Sequence, residues 1–291
     1  MIETPEFLTV RELAEMLRIK ERKVYDLAAS GDVPCSRATG KLLFPEADVR
    51  AWIDGKKSGS TELSERPAVF LGSYDPLLEW AIRQSQCGLA TLLDGSADGV
   101  DRFIAREGVA AGLHLHDEAS GDWNVQHVKR TCAGQNGVLL SWAVRRRGLV
   151  TRPEQTEQFL SVRDLSGARV AARQKGSGTD LLLRQLMEDS GLSASGVTFT
   201  EPVRSEQDAV LSVSEGLADV TFGLEAVASP YGLGFVPVVD ERFDILVDRR
   251  AYFDAPIQTL LAFCRGKAFA ERASMLGGYD VGELGDVRWN A

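Results

Sequence analysis

Apolar positions follow two different rhythms along this chain. Near the N-terminus they recur at helical spacing, first at Val10, Leu13, Ala14 and Leu17, then at Val24, Leu27 and Ala28. Thr9 stands before the first set with Glu12 three residues on, a capping box that predicts a helix opening at Val10. Arg18 to Lys20 then form a tight turn, and Ser30-Gly31 stops a second helix over 21–29. The stretch CSRATGKLLF predicts two short strands with Thr39-Gly40 at the tip, and Pro45-Glu46 open a third helix carrying Ala47, Val49, Trp52 and Ile53. Beyond residue 67 the pattern changes. Short runs rich in apolar residues at 68–73, 89–93, 112–115, 138–144, 169–173, 197–200, 220–223, 235–239 and 243–247 predict strands. Helices are expected over 77–84, 99–106, 179–189, 205–215, 257–263 and 267–275. This alternation predicts an α/β fold with mostly parallel sheets. The polar tract GKKSGST at 55–61 separates the two rhythms, so the expected organisation is a domain over 1–56, a linker over 57–66 and a second domain over 67–291.

Composition narrows the class. With 291 residues, 44% hydrophobic and 26% charged, the chain has room for about two globular domains. The acidic and basic residues of 1–57 balance, so the whole net charge of −9 falls on the rest. This balance argues against a general polyanion binder, and any nucleic-acid contact depends on where the N-terminal cations sit. The four cysteines are far apart and form no CxxC pair, which argues against a disulfide framework or a zinc site. The opening residues MIETPEFLTV do not make a secretory signal, and no apolar run is long enough to span a bilayer. A cytoplasmic protein without a membrane partner is expected. GxSxG, Walker A, HExxH and dinucleotide motifs are all missing, so neither an enzyme nor a bound cofactor is expected.

The spacing, caps and hairpin of residues 7–53 together resemble the excisionase/MerR-type winged helix-turn-helix domain. The resemblance implies a second helix in the major groove and a hairpin tip against the DNA backbone or minor groove. Carried onto this sequence, the DNA contacts are Lys20, Arg22, Lys23 and Tyr25 at the second helix and Arg37, Thr39 and Lys41 on the wing. Any one of these alone reads equally well as a solvated surface charge. Glu21 and Asp26 would repel phosphate, so only part of the second helix can face DNA. One small module binds weakly, and a homodimer on a two-part site is expected.

Three turns in the second domain share a design. GSYDP places Ser73 and Tyr74 before an Asp75 cap and Pro76; DGSAD places Gly95 and Ser96 at a helix start; KGSGT does the same with Gly176, Ser177, Gly178 and Thr179. Helix amino ends with free N–H groups and hydroxyls bind anions. Singly each is an ordinary cap, but three of them at the carboxyl ends of expected strands point to one ligand site. Arg173, Lys175 and Arg204 are possible sources of charge there. Glu225 could accept from a ligand hydroxyl or amine. His114 and His116 alternate on an expected strand without a third metal ligand, so packing or a single ligand contact, given to His116, is favoured over a metal site.

The stretches FLGSYDPLLEWA, LLDGSADGVDRF, AAGLHLHD, DLSGARVAARQKGSGTDLLL and EGLADVTFGLEA resemble the type 2 periplasmic-binding-protein fold. More narrowly, they resemble the cytoplasmic binding-protein-like domain attached to helix-turn-helix regulators and to some molybdopterin biosynthesis proteins. The resemblance implies an α/β domain of two lobes, joined by crossover segments over 138–145 and 243–249, closing on a ligand between them. It also implies molybdate or tungstate as the ligand, ahead of a small carboxylate or a pterin-like molecule. The expected function is a ligand-responsive DNA-binding transcription regulator. The other class is a cytoplasmic binding or delivery protein for molybdate or a molybdenum-cofactor-related molecule.

Overall fold

The computed structural model describes residues 7–37, 40–55 and 65–291, and the chain divides between Glu65 and Arg66 into two units. The first contains β1 (Phe7–Leu8), α1 (Val10–Leu17), α2 (Glu21–Ala29), β2 (Phe44–Pro45) and α3 (Glu46–Gly55). The capping box forms: the Glu12 N–H donates to Thr9 Oγ1 at 3.3 Å and the Thr9 N–H donates to Glu12 Oε2 at 2.7 Å. Arg18, in the left-handed region at φ 54°, ends α1. Leu8, Leu13, Val24, Ala28, Val33, Phe44 and Val49 fill the core. Two details differ from expectation. Pro45 ends β2, which pairs antiparallel with β1, instead of opening the helix. The expected hairpin is represented among the described residues by one bridge, Ser36 to Leu43; Thr39, at its tip, lies outside the described residues.

The second unit opens with β3 (Val69–Gly72), α4 (Pro76–Ser85), β4 (Ala90–Leu92), α5 (Ser96–Ile104) and β5 (Ala110–Leu113). A small ribbon of β6 (His116–Asp117) and β7 (Asp122–Trp123) leads to α6 (Val125–Thr131) and the 15-residue strand β8 (Gly137–Thr151). Then follow β9 (Arg169–Ala171), α7 (Gly178–Asp189), β10 (Thr198–Phe199), α8 (Glu206–Ser214), β11 (Val220–Leu224) and α9 (Glu225–Ala228). A second 15-residue strand, β12 (Gly234–Asp248), is followed by α10 (Ala255–Cys264), α11 (Lys267–Leu276), β13 (Tyr279–Asp280) and β14 (Val287–Asn290).

The sheet runs β10-β9-β11-β8-β12-β5-β3-β4, with β13 and β14 also on β8. Each end is parallel, as β/α/β connections require. The centre is antiparallel: β8 and β12 pair from Gly137 opposite Asp248 to Thr151 opposite Gly234. The sheet is therefore mixed, where mostly parallel pairing was expected. The runs 235–239 and 243–247 are one strand because Asp240, Glu241 and Arg242 continue the ladder between them. Those polar residues read as a break, yet Glu241 is fully buried opposite Arg145. A register shift between Pro237 and Val239 fits a residue that has no N–H to donate.

The two long strands carry the chain between two halves with separate cores. Phe70, Leu77, Leu78, Trp142 and Phe243 lie in the first, where α10 and α11 return to pack through Leu260 and Phe269. Leu149, Leu165, Val170, Leu183 and Phe222 lie in the second.

Candidate functional site

A cleft of about 270 Å³ lies where the two halves of the second unit meet. Ser73, Tyr74, Leu93, Asp94, Gly95 and His114 form the wall from the first half. Arg173, Gln174, Ser177, Gly178, Thr179, Arg204, Ser205 and Glu206 form the wall from the second. Four helices begin at this cleft, and their caps explain why. Asp75 caps α4 by accepting the Leu78 N–H at 2.7 Å. Gly95, at φ 135°, precedes α5 in a conformation that L side chains rarely adopt and leaves that helix without a side-chain cap. Ser177 caps α7 by accepting from the Asp180 N–H at 3.3 Å. Ser205 caps α8 in a reciprocal box with Asp208. The amino ends, with their partial positive charge, are thus gathered around one space.

Beneath the cleft lies a buried charged network. Arg145 and Arg147, two residues apart on β8, reach Glu241 on β12: Arg147 Nε donates to Glu241 Oε2 at 2.6 Å, and Arg145 Nη2 donates to Oε1. Arg145 Nη1 also donates to Asp75 Oδ2 at 3.0 Å, where the Tyr279 hydroxyl donates at 2.6 Å. His114 Nδ1 is 3.1 Å from Glu241 Oε2. Arg147 Nη1 lies 2.6 Å from Glu206 Oε1, which also accepts from Thr179 Oγ1 at 3.2 Å. Burial opposes ionisation of Glu241, but Arg145 and Arg147 overcome it and hold its carboxyl well below the usual range. Burial also pulls the Arg145 guanidinium down, while Glu241 and Asp75 more than restore it. The chain of contacts runs from the α4 cap through the crossing strands to the α8 amino end.

Several residues expected at the site line the cleft: Ser73, Tyr74, Gly95, Ser177, Gly178 and Thr179. Burial, then Glu79 and Asp75, push the Tyr74 hydroxyl up. Ser96 stands behind the wall, with its Oγ 2.8 Å from Ser73 Oγ and accepting the His114 N–H at 2.9 Å. Gly176 is outside the lining, its N–H turned to Asp180 Oδ2 at 3.0 Å. His116 is also outside. Strand β5 ends at Leu113, and Asn124 Oδ1 takes the Leu115 N–H at 2.6 Å, so the alternation linking His114 to His116 breaks. His116 instead meets Gln185 at 2.9 Å and the Trp123 ring, and His114 is the histidine on the wall. Glu225 is turned away as well, paired with Arg146 at 3.1 Å and packed against Gly278. Arg173 and Arg204 line the cleft, while Lys175 is outside the lining.

Sequence reasoning missed Ser205, Glu206 and the Arg145–Arg147–Glu241 group. The box from Ser205 to Asp208 was a readable signal for a fourth helix start. Charged residues flanked by apolar strand positions signalled the buried network. Among the described residues no group of three or more His, Cys, Asp or Glu is placed to hold a metal ion, and no helix is long and apolar enough to cross a membrane.

In the first unit Lys20, Arg22, Lys23, Tyr25, Arg37 and Lys41 are all exposed. Tyr25, Arg37 and Lys41 border one shallow concavity together with Arg11 and Glu21. Val24 and Ala28 face the core, which turns Arg22 to the opposite side of α2.

A family model described as the PBP superfamily domain matches residues 79–265. The chain belongs to the PBP superfamily. A helix-turn-helix domain model matches residues 7–57 of this PBP-superfamily chain. The chain is 25% identical to the uncharacterized protein YvgK of Bacillus subtilis (strain 168), over 96% of each chain. Its structure is similar to the regulatory domain of MetR, a LysR family regulator from N. meningitidis. There the TM-score is 0.51 at 9% identity, covering 73% of this chain and 96% of that one. A histidine kinase sensor domain with similarity to periplasmic binding proteins matches with a TM-score of 0.47 at 12% identity, over 72% of this chain and 96% of that one. At these identities the likeness speaks to the fold alone.

Proposed function

We propose that this protein is a cytoplasmic DNA-binding transcription regulator whose second unit senses a small anion and whose first unit grips DNA as a dimer. The observation that carries this reading is the cleft itself: four helix amino ends around one space, in a chain that also has a helix-turn-helix domain. The family matches support DNA binding by residues 7–57 and small-ligand binding by the PBP-superfamily domain. The sharing of the fold with the MetR regulatory domain supports a regulatory use. Ser73, Ser177 and Thr179 hydroxyls with the helix amino ends are the proposed anion contacts. Lys20, Arg22, Lys23, Tyr25, Arg37, Thr39 and Lys41 are the proposed DNA contacts, the cations positioning the domain on phosphates. Ligand contact with both walls favours the closed form, and only differential affinity for that form can alter DNA binding.

By the resemblance, molybdate and tungstate are the first ligands to test. A small carboxylate is the second reading, favoured by Arg173 and Arg204, because a guanidinium fork matches a carboxylate. Catalysis is not part of the proposal. Gel shifts with and without molybdate, tungstate and small carboxylates test it. The double variant Ser177→Ala, Thr179→Ala is expected to lose the ligand response while still binding DNA. Full-strength ligand binding by that variant in calorimetry would overturn the pocket assignment.

A further inference from the structure

Glu206 stands on the cleft wall with its side chain only 8% exposed. Its Oε1 is engaged by Arg147 and Thr179, but its buried Oε2 has no hydrogen-bond partner among the described residues. Burial alone would push this carboxyl toward protonation. Arg147, Arg145 and Arg173 more than offset that and hold it below the usual range, so it is an ionised acceptor. Arg173, on the same wall, donates from Nη1 to the Val203 carbonyl at 3.1 Å, while its buried Nε has no partner. A charged acceptor and a charged donor therefore share one wall with capacity unmet. Leaving such groups unmet is unfavourable, and because both residues line the cleft a ligand there is a candidate to satisfy them.

We infer that the cleft selects a small anion that also carries a hydrogen-bond donor, which Glu206 accepts while Arg173 and the helix amino ends take the negative charge. A protonated tetrahedral oxyanion and an ammonium-bearing carboxylate share this chemistry. A fully deprotonated dianion such as sulfate, molybdate or tungstate brings no donor and sets its own oxygens against an ionised carboxylate. Such a site discriminates by what it leaves unpaired as much as by what it binds. This inference rests on the anion reading above and narrows it, moving the preferred ligand away from molybdate and tungstate.

Calorimetry on the full chain with matched probes tests it: inorganic phosphate against sulfate and molybdate, and L-alanine against propionate. One donor-bearing probe is expected to bind at least about tenfold more tightly than its donor-free mate. The pair showing the gap identifies the source of the donor. Glu206→Gln, whose amide donates as well as accepts, is expected to shrink or reverse that gap. Donor-free probes binding as tightly as their mates would remove the role of Glu206 and leave the anion reading standing. A gap untouched by E206Q, in a variant that melts like the parent, would do the same. Should E206Q fail to fold, the comparison of probes on the unaltered chain decides. Binding of none of the five probes overturns both readings.

Discussion

Asp244 and Glu206 are two buried carboxyls, one in each half of the PBP-superfamily domain, and their surroundings send them in opposite directions. Asp244 is fully buried on β12 in the first half. Burial pushes it up to about 6, more strongly than Asn124 at 2.8 Å and Arg288 at 3.7 Å can pull it down. Glu206 is buried too, yet Arg147 at 2.6 Å, with Arg145 and Arg173 beyond, keeps it ionised. Burial alone does not decide charge; the number and closeness of guanidinium groups does. The walls of the cleft repeat the contrast. The first half offers hydroxyls, a glycine turn and an imidazole, with Asp94 exposed; the second offers hydroxyls too but adds Arg173, Arg204 and Glu206. The first wall suits holding an anion by neutral dipoles, and the second suits choosing among anions.

The network that joins the halves offers the largest test. Glu241→Ala leaves Arg145 and Arg147, both fully buried, without their shared partner. Breaking one side of such a buried group costs about 3–5 kcal/mol, so denaturant unfolding is expected to show a loss of that size. A loss under about 1 kcal/mol would mean that the crossing strands hold without the network, and that the two halves differ less in charge than described.

Asp244→Asn tests the neutral half. The folded carboxyl, at about 6, lies above its ordinary 3.8, so between those values the folded state binds more protons than the unfolded one. Stability from this group therefore rises as pH falls from about 6 toward 4 and is lowest above that window. The neutral amide removes the unfavourable ionised state, so D244N is expected to be more stable near pH 8 by about 3 kcal/mol at most, and unchanged near pH 4. Thermal melts at both pH values check this. A variant less stable than the parent near pH 8 would show that Arg288 holds Asp244 as an ion pair, and the contrast with Glu206 would vanish.

Much of this arrangement could be read before the structure, for identifiable reasons. The capping box at Thr9 and the apolar spacing of α1 and α2 are local signals, and local physics decides those helices. The turns at Ser73, Gly95 and Ser177 were legible because caps and glycines leave short-range marks, and the α/β alternation brings such turns to strand ends. Residues whose meaning is non-local did not show. Arg145 and Glu241 are 96 residues apart, and each alone looks like a polar break in a strand. His114 and His116 read as one face of a continuing strand, but the strand ends at Leu113 and Asn124 takes the Leu115 N–H. Glu225 stood out as an acid after an apolar run, but Arg146, far away in sequence, claims it.

The smallest expected effect concerns the seam between the walls. A Cβ at Gly178 would lie 2.9 Å from His114 Cε1 and 3.2 Å from its Nδ1. His114 has little room to retreat, being buried, bound to Glu241 at 3.1 Å and stacked beside Phe243. Gly178 itself lies outside the left-handed region, so alanine suits the backbone of the first turn of α7 and any cost comes from the contact with His114. Gly178→Ala is therefore expected to lose about 1 kcal/mol of stability by overpacking against His114 and to bind ligand about fivefold more weakly, roughly 1 kcal/mol. Gly176 is the control. At φ 83°, with nothing near its would-be Cβ, Gly176→Ala strains only the backbone, at about 1 kcal/mol of stability, and should leave affinity in place. If both variants lost stability and kept affinity, the approach of Gly178 to His114 would be packing alone.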